Sequence, residues 1–408
     1  MQRKQPQHRP IPILYALLRG IGGLLLRLFC GYRRTGERIP KRGPLLVVAS
    51  HQGMMDFLTV ADALPGRRVQ FIATRRFFRS PKLRFFLRAD GAIPKTQFHP
   101  DPACILEVLR TLRGGGTVAL FPAGQTSVCG LPETIAPSIA RLIKKANAPV
   151  CAVRQHGGFY TLPRLRPSRP CFGRVEAETR IILTPAQLKT LSEAEIYRAV
   201  VAGIDFDEAA WQARTGVRFR GGCRAAGLEG ALWLCPRCGA EYALRGERNT
   251  LRCRACGAAA EVGPDMRFSA GFPETITAWY RLQETRLRAA LAEENFALET
   301  PAEASSWDGD RFAVHGRGTL RLDRGTLSWR GVWDGAERTL AVRCETLAGL
   351  TVERNELFEV FTEDCGLTRF RPDDRAVVPK WKQAQELLYR QMNGLDAAAA
   401  PQERQDTQ

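Results

Sequence analysis

Apolar and polar positions along the first half of the chain alternate in blocks that predict an α/β arrangement. Leu45 to Ala49, entered through Gly43 and Pro44, is a short apolar run of the kind a buried strand needs, and from Met54 onward the spacing becomes that of an amphipathic helix. "QFIAT" (70–74), "TVALF" (117–121) and "PVCAVR" (149–154) predict further buried strands. Ser80–Pro81 and Asp101–Pro102 each supply an N-cap and a first helical residue, ahead of "KLRFFLRA" and "ACILEVLRTLR". Another helix is predicted near 135–146, and Ser192 with Glu195 makes a capping box for "EAEIYRAVVAGI". These elements form one α/β domain, residues 36–216.

From about residue 305 the pattern changes. "GTLRLDRGTLSWRG", "RTLAVRC", "LAGLTVE" and "LFEVFTE" are short strands broken by Gly, Asp and Asn turns, and "PKWKQAQELLYRQM" is a closing helix. Residues 301–394 are therefore expected to form a small β-rich barrel or sandwich closed by a helix, loosely like pleckstrin-homology modules in topology. A helix with Trp279, Tyr280 and Leu282 makes 266–300 a helical linker, and 395–408 has the composition of a disordered tail.

At the other end, Ile13, Leu14, Leu17, Leu18, Ile21, Leu24, Leu25 and Leu28 follow helical spacing, but Arg19 and Arg27 interrupt the apolar run of roughly 18 residues that a membrane span requires. No small-residue cleavage site follows, as a signal peptide would need. Residues 1–35 are expected to be a basic amphipathic helix lying in the membrane plane, with Arg at the headgroups; the alternative is a helix packed on its own domain.

Composition sharpens this. A chain of 408 residues with 44% apolar content builds two or three cores, and a net charge of +18 calls for an anionic partner. The first 44 residues carry ten Lys or Arg against Glu37 alone, and residues 67–95 carry nine against Asp90 alone. That concentration favours an anionic membrane surface over nucleic acid. "RFFRSPKLRFF" (76–86) is the nearest approach to a nucleic-acid pattern, and its aromatics and Arg suit a membrane equally; no nucleic-acid partner is expected.

Of the 12 cysteines, Cys30, Cys104, Cys129, Cys151, Cys171, Cys223, Cys344 and Cys365 are scattered, as reduced buried thiols are. The other four form "CPRCG" and "CRACG", placing Cys235, Cys238, Cys253 and Cys256 as C-x2-C-x14-C-x2-C, each pair closed by a Gly. Two such knuckles supply four thiolates to one tetrahedral Zn(II), so 217–265 is expected to be a structural zinc ribbon; disulfides or a redox pair are the competing uses.

The chain has five histidines, and one ends the first strand: "VVASHQGMMDFLTV". Within one helix His51 and Asp56 would stand about 140° apart, so the His must precede the helix and a loop must fold it back onto the acid. A carboxylate on one imidazole nitrogen fixes the tautomer and leaves the other free to accept a proton. The bland alternative is two ordinary element-end residues. His156 in "RQHGG" reads as a satisfied polar group at a strand end, Cys129 as a buried thiol, and His99 as a turn residue.

Downstream stand "GAIPK" (91–95), "LFPAGQTS" (120–127) and "APVCAVRQHGG" (148–158), each at the end of a predicted element. With the H-x4-D block before them, residues 40–160 resemble the glycerolipid acyltransferases, the lysophosphatidate acyltransferase family. The resemblance implies a mixed-sheet α/β domain and transfer of an acyl group from acyl-coenzyme A or acyl carrier protein to a lysolipid hydroxyl, most directly 1-acylglycerol-3-phosphate. It implies no catalytic cofactor, and a peripheral or monotopic position on the cytoplasmic face of a membrane. His51 would be the base and Asp56 its support. Phe121, Pro122, Gly124 and Ser127 would line the substrate site. The family's third block carries Glu and Arg where this chain has Ala123 and Thr126, its Asn before the His is Ser50, and its second-block Arg corresponds to Gln97. An acceptor phosphate would then fall to Lys95, Arg75, Arg76 or the Arg cluster at 164–169. Otherwise the acceptor is a different lysolipid. A zinc-ribbon nucleic-acid binder and a lipid-binding scaffold are the non-enzyme alternatives, and the oligomeric state is left open.

Overall fold

The computed structural model describes residues 12–96, 101–166, 169–309, 311–353 and 355–396. Gln97, His99, the first 11 residues and most of the expected tail lie outside the described residues. The N-terminal half runs α1 (Pro12–Cys30), β1 (Arg33–Gly36), β2 (Leu45–Ala49), α2 (Asp56–Ala63), β3 (Val69–Thr74), α3 (Pro81–Asp90), β4 (Ile93–Lys95), α4 (Pro102–Arg113), β5 (Thr117–Leu120), α5 (Ile139–Ala146), β6 (Val150–His156), α6 (Gly158–Thr161), β7 (Glu176–Leu183), α7 (Pro185–Thr190), α8 (Glu193–Ile204) and α9 (Glu208–Thr215). Its sheet has the order β1-β7-β6-β2-β5-β3-β4, parallel except for the antiparallel β6–β7 pair. The sheet is mixed, as expected.

Alternation along β2 builds both cores. Leu45, Val47 and Ala49 face the layer formed by α1 and α2, while Leu46 and Val48 face α4, α5 and α8. Two of the three predicted caps form side-chain bonds: Asp101 accepts from the Cys104 amide, and Ser192 and Glu195 close the capping box, whereas Ser80 precedes α3 without a side-chain cap hydrogen bond. Because β2 is central, the loops after β2, β5 and β6 meet at one end of the sheet, where α/β folds keep their clefts.

Helix α1 lies against α2 along its glycines. A Cβ on Gly22 would stand 2.9 Å from Leu58, and one on Gly23 would stand 2.6 Å from Asp62 Oδ1, so a larger residue at either position would make those side chains shift. Arg27 does not reach outward as expected for a headgroup contact. It pairs with buried Asp62 at 2.6 Å and donates to the Gly23 carbonyl at 2.7 Å. The opposite face of α1 exposes Ile13, Leu17, Leu24 and Leu28, the last at 69%. Among the described residues no helix is long and apolar enough to cross a membrane.

The cysteine-rich segment folds as a three-stranded antiparallel sheet of β8 (Leu244–Glu247), β9 (Thr250–Cys253) and β10 (Ala259–Glu261). Next comes α10 (Ile276–Ala292), which is no free linker: Ile276 and Trp279 pack with the cysteine segment, whereas Leu287 and Leu291 enter the C-terminal core. The C-terminal region is an antiparallel sheet of β11 (Ala297–Trp307), β12 (Phe312–Asp323), β13 (Thr326–Trp333), β14 (Ala336–Arg343), β15 (Thr351–Glu353), β16 (Leu357–Thr362) and β17 (Gly366–Pro372), covered by α11 (Val378–Met392). Its order is β14-β13-β12-β11-β17-β16-β15. The outer strands β14 and β15 do not pair, so no closed barrel forms. Trp381, Ala384, Leu387 and Leu388 of α11 pack into the same core as the strands. Asp396, assigned to the tail, is tied down by Arg288 and Arg390.

Candidate active site

Strand β2 ends in a loop that is tied down mainly by hydrogen bonds to β6 and α2. Ser50 accepts the Gln155 amide at 2.8 Å on its hydroxyl and the Gln155 side chain at 2.6 Å on its carbonyl, which fixes the strand end against β6. The chain then turns so that Asp56, the first residue of α2, points back. Its Oδ2 accepts from the amides of Gln52 (2.5 Å) and Gly53 (3.0 Å) and lies 2.7 Å from His51 Nδ1. Two amides and the imidazole thus converge on one carboxylate oxygen, and the pairing assigns the ring proton to Nδ1. His51 Nε2 keeps its lone pair on a side chain that is 23% exposed, against 3% for Asp56. The imidazole stacks on Phe121 at 4.1 Å. Two glycines admit this turn: a Cβ on Gly53 would meet the Gly158 carbonyl at 2.6 Å, and one on Gly158 would meet Asp56 Oδ1 at 3.2 Å.

A second imidazole–carboxylate pair adjoins the first. His156 Nδ1 is 2.9 Å from Glu208 Oε1, and its ring stacks on Trp211. Glu208 also accepts the Gly157 amide at 2.7 Å and the Gln52 side chain at 3.1 Å. Burial pushes the Glu208 carboxyl above its ordinary range, with His156 and the amides opposing. The satisfied-group reading of His156 is what the geometry gives, but its partner went unseen in the sequence: Glu208 begins a helix more than 50 residues downstream and carries no local signal.

The "FPAGQTS" turn divides in two. Phe121, Pro122, Ala123 and Gly124 are half-buried at the rim beside His51, whereas Gln125, Thr126 and Ser127 are buried. Ser127 therefore cannot present its hydroxyl to a substrate. It donates to the Leu131 carbonyl at 2.6 Å and accepts the Gly130 amide at 2.9 Å. Its own amide donates to the His51 carbonyl at 2.9 Å, so Ser127 serves the site through the backbone. Lys95 donates to the Thr96 carbonyl, and Arg75 pairs with Asp101 at 3.2 Å while 42% exposed. Burial works against the Asp101 charge, but the Cys104 and Thr96 amides and Arg75 together hold its carboxyl below the usual range. The Arg76 side chain lies outside the described residues. Arg166, from the 164–169 cluster, is buried and donates to the carbonyls of Tyr160, Cys223 and Arg224, so it braces a loop and is unsuited to a headgroup.

Residues 32–155 match the family model described as Acyltransferase. A 1-acyl-sn-glycerol-3-phosphate acyltransferase of Bacillus subtilis (strain 168) is 24% identical over 114 residues, 28% of this chain and 57% of that protein. Residues 32–155 form an acyltransferase-family domain. The chain thus spans little more than half the length of the curated relative it matches. Among solved structures, the 1-acyl-sn-glycerophosphate acyltransferase PlsC of Thermotoga maritima is 21% identical, covers 47% of this chain and 77% of its own, and superposes with a TM-score of 0.41. The Ran-binding domain of Nup2 from Ashbya gossypii is 15% identical, covering 23% of this chain and 94% of its own, with a TM-score of 0.20.

Beyond the acyltransferase domain's matched segment, the four cysteines come together: their Sγ atoms all lie within 4.8 Å of one another, with Cys235–Cys256 at 3.9 Å and Cys238–Cys253 at 3.8 Å. A tetrahedron of about 2.3 Å zinc–sulfur bonds spaces its sulfurs at roughly 3.8 Å, so the donor set fits zinc. Gly239 and Gly257 take φ of 73° and 75° and return their amides to the Cys235 and Cys253 carbonyls, closing each knuckle.

Proposed function

We propose that the protein is an O-acyltransferase. It moves a fatty acyl group from acyl-coenzyme A or acyl carrier protein to the free hydroxyl of a lysolipid, and converts 1-acylglycerol-3-phosphate to phosphatidate. The observation that carries this reading is His51 Nδ1 at 2.7 Å from Asp56, with Nε2 beside the rim of the "FPAG" turn, inside the matched segment. Nε2 takes the acceptor's hydroxyl proton as the oxygen attacks the thioester carbonyl. Asp56 supports the imidazolium, the tetrahedral oxyanion collapses, and the departing thiolate receives the proton back from Nε2 as thiol. Balance is complete without a catalytic cofactor. Arg75 and Lys95 are the cations offered to an acceptor phosphate. Ala123 and Thr126 bring no charge, which favours one second reading: an acceptor other than lysophosphatidate.

Lipid substrates require a membrane, and Leu17, Leu24 and Leu28 of α1, Phe57 of α2 and Leu83, Phe85 and Phe86 of α3 expose apolar surface on three helices of the same domain. Together with the basic N-terminal region they support peripheral docking on an anionic surface. The scattered free thiols support the cytoplasmic side, as a zinc-holding set of four thiolates would. Cys235, Cys238, Cys253 and Cys256 would hold that zinc as a structural staple. A vesicle assay offering lysophosphatidate, lysophosphatidylcholine and monoacylglycerol with both thioesters tests the reaction. Lysophosphatidate should be preferred, and Lys95→Ala should reduce that preference by about tenfold or more, the worth of one charge-assisted contact. An uncharged acceptor favoured throughout would replace the first reading with the second. Elemental analysis should find one zinc per chain. Its removal by chelation should loosen 217–265 before the catalytic sheet, as hydrogen exchange would reveal.

A further inference from the structure

The turn after "FPAGQTS" is held from outside the matched family segment. Val128 donates its amide to Glu133 Oε1 at 3.0 Å, and Thr134 donates its amide to Glu386 Oε1 on α11 at 2.8 Å. Between these carboxylates stands Lys382 of α11, ion-paired to Glu133 and 3.2 Å from Glu386. The three side chains are exposed by only 6%, 4% and 13% for Lys382, Glu133 and Glu386. Thr277 of α10 donates its hydroxyl to the Cys129 carbonyl at 2.8 Å, and the Glu208 amide donates to the Gly130 carbonyl at 3.0 Å. Residues 127–134 are thus a strap. One end carries the Ser127 amide on which the His51 carbonyl rests, and the other is gripped by the C-terminal helices.

A buried ion triad is a poor choice for stability alone, since apolar side chains of similar volume do as well or better. What it supplies here is register. Each carboxylate takes one amide of the strap, and one ammonium holds both carboxylates in place. Without that ammonium two buried like charges repel, and the amides of Val128 and Thr134 lose fixed acceptors.

We propose that Lys382 is a positioning residue for acyl transfer: through Glu133 and Glu386 it fixes the 127–134 strap, and through the Ser127 amide the strap fixes the backbone of His51. The C-terminal region is then a working part of the active site, and this rests on the acyl-transfer reading. Lys382→Met in the full chain should lower kcat by roughly tenfold to a hundredfold, the effect of misplacing a base by about an ångström, with KM for both substrates changed by less than about threefold. Amides of 127–134 should exchange at least about tenfold faster, and those of β2 should not. Adding Glu133→Gln to Lys382→Met removes the repulsion and keeps an acceptor for the Val128 amide, so it should recover most of the kcat and the strap's protection. A folded Lys382→Met protein with normal kcat, a defect confined to KM, or unchanged strap exchange overturns the proposal. If Lys382→Met does not fold, Thr277→Val, which removes one strap contact and no charge, should lower kcat with the same exchange signature; no change in either overturns it. If the unaltered protein transfers no acyl group with any pair offered, the functional reading falls, and strap exchange alone decides the clamp.

Discussion

His51 and His156 each face a carboxylate through Nδ1, at 2.7 and 2.9 Å, at the same end of one sheet. Asp56 is five residues from its histidine, opens the next helix, and is satisfied by amides of the loop between them. Glu208 arrives on α9 from another part of the chain, and its pair is backed by Trp211, whose ring lies 3° from parallel to the imidazole. The first pair leaves Nε2 beside a half-open rim; the second sets a less exposed imidazole on a fully buried carboxylate and joins α9 to the sheet end. Under acyl transfer as proposed, the same two functional groups act as a base in one setting and as a fastener in the other, and what separates them is the surface each imidazole is left with. Gln52 links them: its amide serves Asp56 and its side chain serves Glu208.

The largest expected effect separates the pairs by activity. His51→Ala should reduce kcat/KM by at least roughly a hundredfold, the usual worth of a general base, and Asp56→Asn by nearly as much. His156→Ala should cost less than about tenfold, because it perturbs Gln52 and leaves the base intact. Steady-state kinetics on folded proteins decides this. Equal losses at both histidines would end the distinction and make His156 part of the chemistry.

Stability should rank them the other way. His156→Ala strands a buried carboxylate and should cost about 3 kcal/mol in denaturant unfolding, whereas His51→Ala, at a half-open rim, should cost under about 1 kcal/mol. pH sharpens this contrast. Burial raises the folded-state pKa of Glu208 above its unfolded value. Its contribution to stability is therefore fully present below the unfolded pKa, near about 4.3, and is lost as pH rises through the folded one. Glu208→Gln should flatten that part of the stability–pH curve, and the difference from the unaltered protein should change between pH 4 and pH 8. An unchanged curve would mean that the Glu208 charge is fully compensated.

Legibility in the sequence follows the same division between local and distant. The β2–loop–α2 unit, the Ser192–Glu195 cap and the two C-x2-C knuckles are written in contiguous residues, and the structure has them where the spacing puts them. Strand β1, "RRTG", contains no apolar residue, and β7, "EAETRIIL", opens on charges; both are strands because of what pairs with them. Lys382 and Gln383 stand off the Trp381–Ala384–Leu388 face of α11 and Gln385 lies on it, and all three polar side chains are buried. Partners about 250, 150 and 38 residues away bond Lys382 Nζ, Gln383 Oε1 and Gln385 Nε2, and no local window holds that information. Ser127 shows the converse: a hydroxyl in a functional-looking block, spent on its own turn.

The smallest expected effect tests whether the first pair depends on the second through the glycine that lies beside Asp56 and Gln52. Gly158 is the first residue of the short helix α6, so alanine meets no backbone penalty there, and its Cβ alone carries the effect. That atom would stand 3.2 Å from Asp56 Oδ1 and 3.3 Å from Gln52 Oε1, closer than ordinary van der Waals contact. Gln52 Oε1 has no hydrogen-bond partner, whereas Asp56 is held by two amides and His51. Gln52 should therefore yield first, turning its side chain away from Glu208 and disturbing Asp56 only through the shared backbone. Gly158→Ala is expected to lower kcat by roughly threefold, with KM unchanged, and to cost about 1 kcal/mol of stability from the weakened Gln52–Glu208 contact. A loss as large as that of Asp56→Asn would show that Asp56 has moved instead, and that the two pairs are one rigid unit.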